Sequence, residues 1–113
     1  MTTNPSLGET LDRMTQLVEA RRADSPEKSY TAKLLQAGVA KCAQKVGEEA
    51  VEVAIAAVSG TPAHITAEAA DLLYHLTVLL AASGVSADDV AAELARRSGT
   101  SGLDEKASRT EQV

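Results

Sequence analysis

Apolar residues in this chain recur every three or four positions, and no window of useful length alternates with period two. That spacing lays one apolar stripe along a helix, whereas a half-buried strand needs strict alternation. The expected class is all-α. Composition then narrows the packing. The 113 residues include no Phe or Trp, and Tyr30 and Tyr74 are the aromatic side chains. A core drawn from Leu, Val, Ile and abundant Ala lets helix axes approach closely, but it buries little area per residue. A lone copy would be marginally stable, and an oligomer is the natural remedy.

Four main helices are expected. Ser6-Leu-Gly-Glu9 has the form of a capping box, a hydroxyl at the N-cap and a carboxylate three residues on. Leu7, Leu11, Met14 and Val18 follow at helical spacing, giving a first helix over roughly 7–22. A turn-rich stretch from Ala23 to Ser29 leads to a short segment, Tyr30 to Gln36, before Gly38 interrupts. The second long helix carries Cys42, Val46, Ala50, Val53 and Ala57 on its apolar face and ends near Ser59-Gly60. Thr61-Pro62 places a capping hydroxyl before a proline at the first helical position. Ile65, Leu72, Leu76 and Leu79 carry the third helix to Gly84, a C-terminal cap. Ser86-Ala-Asp-Asp89 opens the fourth, with Val90 and Leu94. Ser98-Gly-Thr-Ser-Gly102 then breaks helicity. The reading is one domain over 1–113, a helical core about 7–97 followed by a polar tail 98–113.

The net charge of −5 opposes non-specific nucleic-acid binding, which needs basic surface. It leaves a nucleotide substrate open, because a divalent ion inverts the local sign. With Cys42 the one cysteine, neither an internal disulfide nor a cysteine-rich zinc site is available. No leader is evident, and no apolar run approaches the ~18 residues of a membrane span. A soluble, cytoplasmic chain without nucleic-acid or membrane partners is expected.

Chemistry concentrates in acidic pairs. Glu49 and Glu52 lie three apart on the second long helix, with Glu48 alongside, and Glu68 and Asp71 lie three apart on the third. Each pair projects from one helix face. The connection between the helices is short and centred near residue 60, so they pack antiparallel. Glu49 and Asp71 are equidistant from that centre, as are Glu52 and Glu68, which sets two facing levels ~4.5 Å apart. Four like charges across helices ~8–10 Å apart repel unless their protonation shifts or a cation enters. Oxygen-only ligation suits Mg²⁺, with Mn²⁺ a possible substitute. The plainer alternative is a solvated acidic face, with Lys45 pairing to Glu48 and Glu49 at helical spacing. Against it, the pairs recur in matching register, and Glu68 and Asp71 sit in an otherwise apolar stretch.

The runs Lys45-Val-Gly-Glu-Glu-Ala-Val-Glu52 and Glu68-Ala-Ala-Asp-Leu-Leu-Tyr-His75 resemble the phosphoribosyl-ATP pyrophosphohydrolases of histidine biosynthesis. These belong to the all-α, MazG-like nucleotide pyrophosphohydrolases, whose signature is E-x-x-E, a spacer, then E-x-x-D. The spacer here is Val53 to Ala67. Ser29-Tyr-Thr-Ala-Lys-Leu-Leu35, with Gly38 and Lys41, is similar to the N-terminal motif of the histidine-pathway branch. Ser101-Gly-Leu-Asp-Glu-Lys-Ala-Ser-Arg109 is similar to its ending. The likeness runs from about residue 7 to 109. Cys42 departs from it, standing where an aliphatic residue is more usual. The resemblance implies a MazG-like bundle assembled as a homodimer, a need for Mg²⁺, and hydrolysis of phosphoribosyl-ATP to phosphoribosyl-AMP and pyrophosphate. By motif position it implies metal-binding roles for Glu49, Glu52, Glu68 and Asp71, with Glu48 an additional ligand or base.

Cleavage between the α- and β-phosphates needs an attacking water and a proton acceptor, for which Glu48 and Glu49 are the candidates. Lys33, Lys41 and Lys45 recur at four- and eight-residue steps leading into Glu49, either as a solvated face or as polyphosphate contacts. Lys106 and Arg109 on the tail either are solvated or close over substrate. Ser29 and Tyr30 either cap a helix or touch substrate. His75 is either a partner holding Asp71 or a satisfied core histidine; His64 reads as surface and Cys42 as a small core residue. Three competing functions share parts of this pattern. A di-iron bundle would want a Glu-x-x-His repeat, which is missing. A helical interaction protein would carry the acids only as surface. A house-cleaning pyrophosphohydrolase would use the same acids on another nucleoside triphosphate.

Overall fold

The computed structural model describes residues 4–98 and 102–111. Every regular element among them is helical: α1 (Leu7–Arg21), α2 (Tyr30–Ala37), α3 (Val39–Ser59), α4 (Pro62–Ser83), α5 (Ala87–Arg97) and α6 (Gly102–Glu111). The starts are fixed by hydroxyl caps. Ser6 accepts from Glu9 N at 3.1 Å, Ser29 from Ala32 N at 3.1 Å, Thr61 from His64 N at 3.2 Å and Ser86 from Asp89 N at 3.0 Å. Each satisfies one amide that the first turn leaves without a partner. Two glycines shape the breaks. Gly38, at φ 99°, separates α2 from α3, and Gly84, at φ 72°, ends α4 with its amide returned to the last turn. Both are backbone conformations that a Cβ disfavours.

Helices α3 and α4 form the central antiparallel hairpin, with α1 against α4 and α2 against both. At the far end, Arg22 Nη2 donates to the Ala81 carbonyl at 3.0 Å and ties the end of α1 to α4. Val18, Leu34, Cys42 and Val78 form the core, with Ala32 and Ala56 also buried. Cys42 is the expected core residue; burial pushes its thiol pKa up, and Sγ donates to the Leu34 carbonyl at 3.3 Å.

Three differences from the sequence expectations stand out. The inward stripe of α3 is Cys42, Glu49 and Ala56, with Val46 and Val53 half-buried, whereas Ala50 and Ala57 are exposed. Alanine is too small to decide which way a helix turns, and the carboxylate of Glu49 takes an inward place. Second, part of the expected polar tail is a helix, α6, whose Leu, Glu, Lys, Ala and Arg content favours helix without an apolar stripe. Residues 99–101 of the expected break lie outside the described residues. Third, α4 is by length and composition apolar enough to cross a membrane although Glu68 and Asp71 break its apolar run, which a reading of uninterrupted runs does not register. In this fold α4 buries His75, Thr77 and Val78 against the other helices.

Candidate metal centre

Glu49 on α3 and Glu68 and Asp71 on α4 each turn a carboxylate oxygen to a common point, the three oxygens lying within 4.8 Å of one another. Glu49 is only 8% exposed. Glu49 Oε2 and Glu68 Oε2 are both buried and have no hydrogen-bond partner. Two buried acceptors with no donor in reach are costly for the protein alone. Three oxygen donors of hard character are the set that a divalent cation such as Mg²⁺ accepts, with waters and phosphates filling the remaining positions. The residues present fit that ion.

The other carboxylate oxygens are engaged from the rim. Lys45 Nζ lies 3.4 Å from Glu48 Oε1 and 3.7 Å from Glu49 Oε1, and His64 Nε2 lies 3.5 Å from Glu68 Oε1. Gln44 donates to Glu48 Oε2 at 3.2 Å. Gln44 and then Lys45 hold the Glu48 carboxyl below the usual carboxylate range, while Glu48 first, then the nearby Tyr30, raise the Lys45 ammonium above its ordinary value. The helical pairing expected for Lys45 is therefore present together with the cluster, not instead of it.

The remaining sequence candidates lie on exposed positions. Glu52 is exposed and stands outside the group of three. Three residues along a helix rotate the side chain by ~60°, so with Glu49 aimed inward Glu52 is carried to the rim. Lys41 is exposed on α3 and Lys33 on α2, beyond the break at Gly38. Lys106 and Arg109 are exposed on α6. His64, read as surface, is exposed but also reaches Glu68; its four-residue spacing from Glu68 was the available signal.

His75 is buried with both ring nitrogens engaged. Nδ1 donates to the Asp71 carbonyl at 2.8 Å and Nε2 accepts from the Tyr30 hydroxyl at 3.1 Å. It is thus a satisfied core histidine that touches the backbone of Asp71, not its carboxylate.

Residues 11–98 match the family model described as phosphoribosyl-ATP pyrophosphohydrolase. The chain belongs to the phosphoribosyl-ATP pyrophosphohydrolase family. It is 60% identical over 99 residues to the phosphoribosyl-ATP pyrophosphatase of Rhodobacter capsulatus, an overlap of 88% of this chain and 96% of the relative. Over 101 residues it is 57% identical to the protein of that name in Parvibaculum lavamentivorans, covering 89% and 93%. Over 100 residues it is 58% identical to that of Rhizorhabdus wittichii, covering 88% and 94%. Membership makes the chain an all-α phosphoribosyl-ATP pyrophosphohydrolase, and its cluster of three carboxylates is compatible with a metal-dependent hydrolase.

Proposed function

We propose that the chain hydrolyses the α–β phosphoanhydride of phosphoribosyl-ATP, giving phosphoribosyl-AMP and pyrophosphate, with Mg²⁺ as cofactor. The observation that carries this reading is the pair of orphaned buried oxygens on Glu49 and Glu68, converging with Asp71 in a member of this family. Glu49, Glu68 and Asp71 would hold the ion, with Glu52 on the rim as the candidate fourth carboxylate. A Mg²⁺ ion held by these residues would supply Lewis acidity toward water and the phosphate oxygens.

The chain's own groups account for the rest. The water oxygen bonds to phosphorus as the bridging P–O bond breaks, and the electron pair leaves with the departing oxygen. A carboxylate takes the water's proton. Glu48 and Glu49 are the candidates: Gln44 and Lys45 engage Glu48, while Lys45 also reaches Glu49 Oε1 at 3.7 Å. Lys45 meets the polyphosphate as a point charge, with Lys33 and Lys41 farther along its approach. Lys106 and Arg109 lie on α6, placed to meet the anionic substrate if that helix folds over the site. The net charge of −5 opposes nucleic-acid binding and the exposed apolar side chains favour a homodimer, so the reading is of a cytoplasmic, dimeric enzyme.

The test is to offer purified protein phosphoribosyl-ATP, ATP and dUTP with Mg²⁺ and follow pyrophosphate release. Phosphoribosyl-ATP should be the preferred substrate by orders of magnitude. Rapid hydrolysis of dUTP without phosphoribosyl-ATP turnover would sink the assignment. Glu52→Gln should abolish turnover at unchanged helix content, and near-parental activity would remove Glu52 from the metal shell.

A further inference from the structure

Both aromatic side chains of this chain, and one histidine, meet at a single place beside the carboxylate cluster. Tyr30 and Tyr74 stack at 6.3 Å between ring centroids and 23° between planes. His75 stands edge-on to both, at 5.9 Å and 5.0 Å. Tyr74 is half-buried, its hydroxyl paired with Thr31, and burial pushes its pKa up. Tyr30 differs. One face rests on Tyr74 and its hydroxyl donates to His75, yet the residue remains 51% exposed. A large ring held by its hydroxyl, backed by a second ring and still half exposed is pre-organised to stack and loses little entropy in doing so.

Its location links it to the reaction. Tyr30 opens α2 directly after the cap Ser29, and its hydroxyl partner His75 bonds the carbonyl of Asp71, one turn along α4 from the cluster. The α2 break at Gly38 is what allows the first residue of one helix to lie against the middle of another. We propose that Tyr30 is the nucleobase platform of this site, its half-exposed ring stacking on the purine of a nucleotide whose phosphates reach the carboxylate cluster. This rests on the phosphoanhydride-hydrolase function proposed for the chain and makes Tyr30 a specificity-determining residue for it. The ring, not the hydroxyl, contacts the base; the hydroxyl orients the ring.

The absence of Trp gives a direct readout. In Tyr74→Phe the tyrosine emission comes from Tyr30 alone. Titration with AMP should quench it along a saturable curve, whereas ribose 5-phosphate with pyrophosphate should leave it unchanged. Kinetics with phosphoribosyl-ATP give the second arm. Tyr30→Phe should keep the parental KM within about twofold. Tyr30→Leu should raise KM by about 5- to 150-fold, the range of base–aromatic stacking, with kcat nearly unchanged. Mn²⁺ affinity read by electron paramagnetic resonance should be the same in all three proteins. Absence of saturable quenching, an unmoved KM in Tyr30→Leu, or loss of Mn²⁺ binding in that variant would each overturn the proposal. Parent protein that fails to release pyrophosphate defeats the reaction assignment instead, and the AMP titration still decides the platform.

Discussion

Glu49 occupies a place on α3 that the flanking core residues Cys42 and Ala56 would assign to a small apolar side chain. A buried carboxylate with one oxygen unpartnered destabilises a fold unless something compensates it. Removing one of the like charges should therefore stabilise the metal-free protein even as it removes function. Glu68→Gln is expected to melt higher than the parent without metal, by a few degrees, in calorimetry. With Mg²⁺ at about a hundred times its dissociation constant, the parent should gain about 2.7 kcal/mol, a melting shift on the order of 10 °C. Glu49→Gln should show neither the metal shift nor turnover. Equal Mg²⁺ shifts in parent and Glu49→Gln would show that this cluster does not hold the ion. The facing of Glu49 and Asp71 was legible in the sequence because a short connection ties register to distance from its centre. The rim position of Glu52 was not, because spacing gives the angle between two side chains but not which of them points inward.

At the scale of elements, helix starts were the most legible part of the chain. Ser6, Ser29, Thr61 and Ser86 each hold the amide three residues on, as hydroxyl caps before apolar periodicity predict. Helix α6 was hidden, since a polar helix without an apolar stripe carries no periodic signal. Charge pairing gives α5 a pH signature. Arg96 and then Arg97 hold the Glu93 carboxyl down at about 2, against an ordinary 4.5. The depressed value means the pairing stabilises α5 above pH 4.5, and that contribution fades as pH falls from 4.5 through about 2. Glu93→Gln should lower helix stability slightly at pH 6 and match the parent near pH 2 in circular dichroism melts. A difference that persists unchanged to pH 2 would assign the effect to packing. Both partners are exposed, so the effect is small and should shrink in salt.

The whole molecule leaves much apolar surface open. Along α3, Val51, Ile55 and Val58 follow at steps of four and three, exposed by 58%, 55% and 87%. A groove of about 480 Å³ also runs between α1, α4 and α5, lined by Leu11, Leu73, Leu76, Leu80 and Leu94 among others. Few side chains are fully buried, as an alanine-rich, aromatic-poor composition dictates, and that composition already argued for a second copy. Patches of this kind on a single chain ordinarily mark association surfaces. The homodimer reading predicts a sedimentation coefficient for two chains, and Ile55→Asp should shift the population toward monomer if the α3 stripe is the contact. A variant that stays dimeric would move the contact to the α1–α4–α5 groove, and a monomeric parent would remove the dimer altogether.

The connection between α3 and α4 consists of Gly60 and Thr61 alone. Because so little chain joins the hairpin, the length of this turn acts as a ruler for the acids on either side. One inserted residue would slide α4 along α3 and swing Asp71 and Glu68 away from Glu49, so that a change touching no carboxylate would dismantle their meeting point. The stretch from Arg22 to Ser29, which joins α1 to α2, sets no register between the acids. Length variation among descendants of this chain should therefore gather there, and leave the two-residue turn untouched.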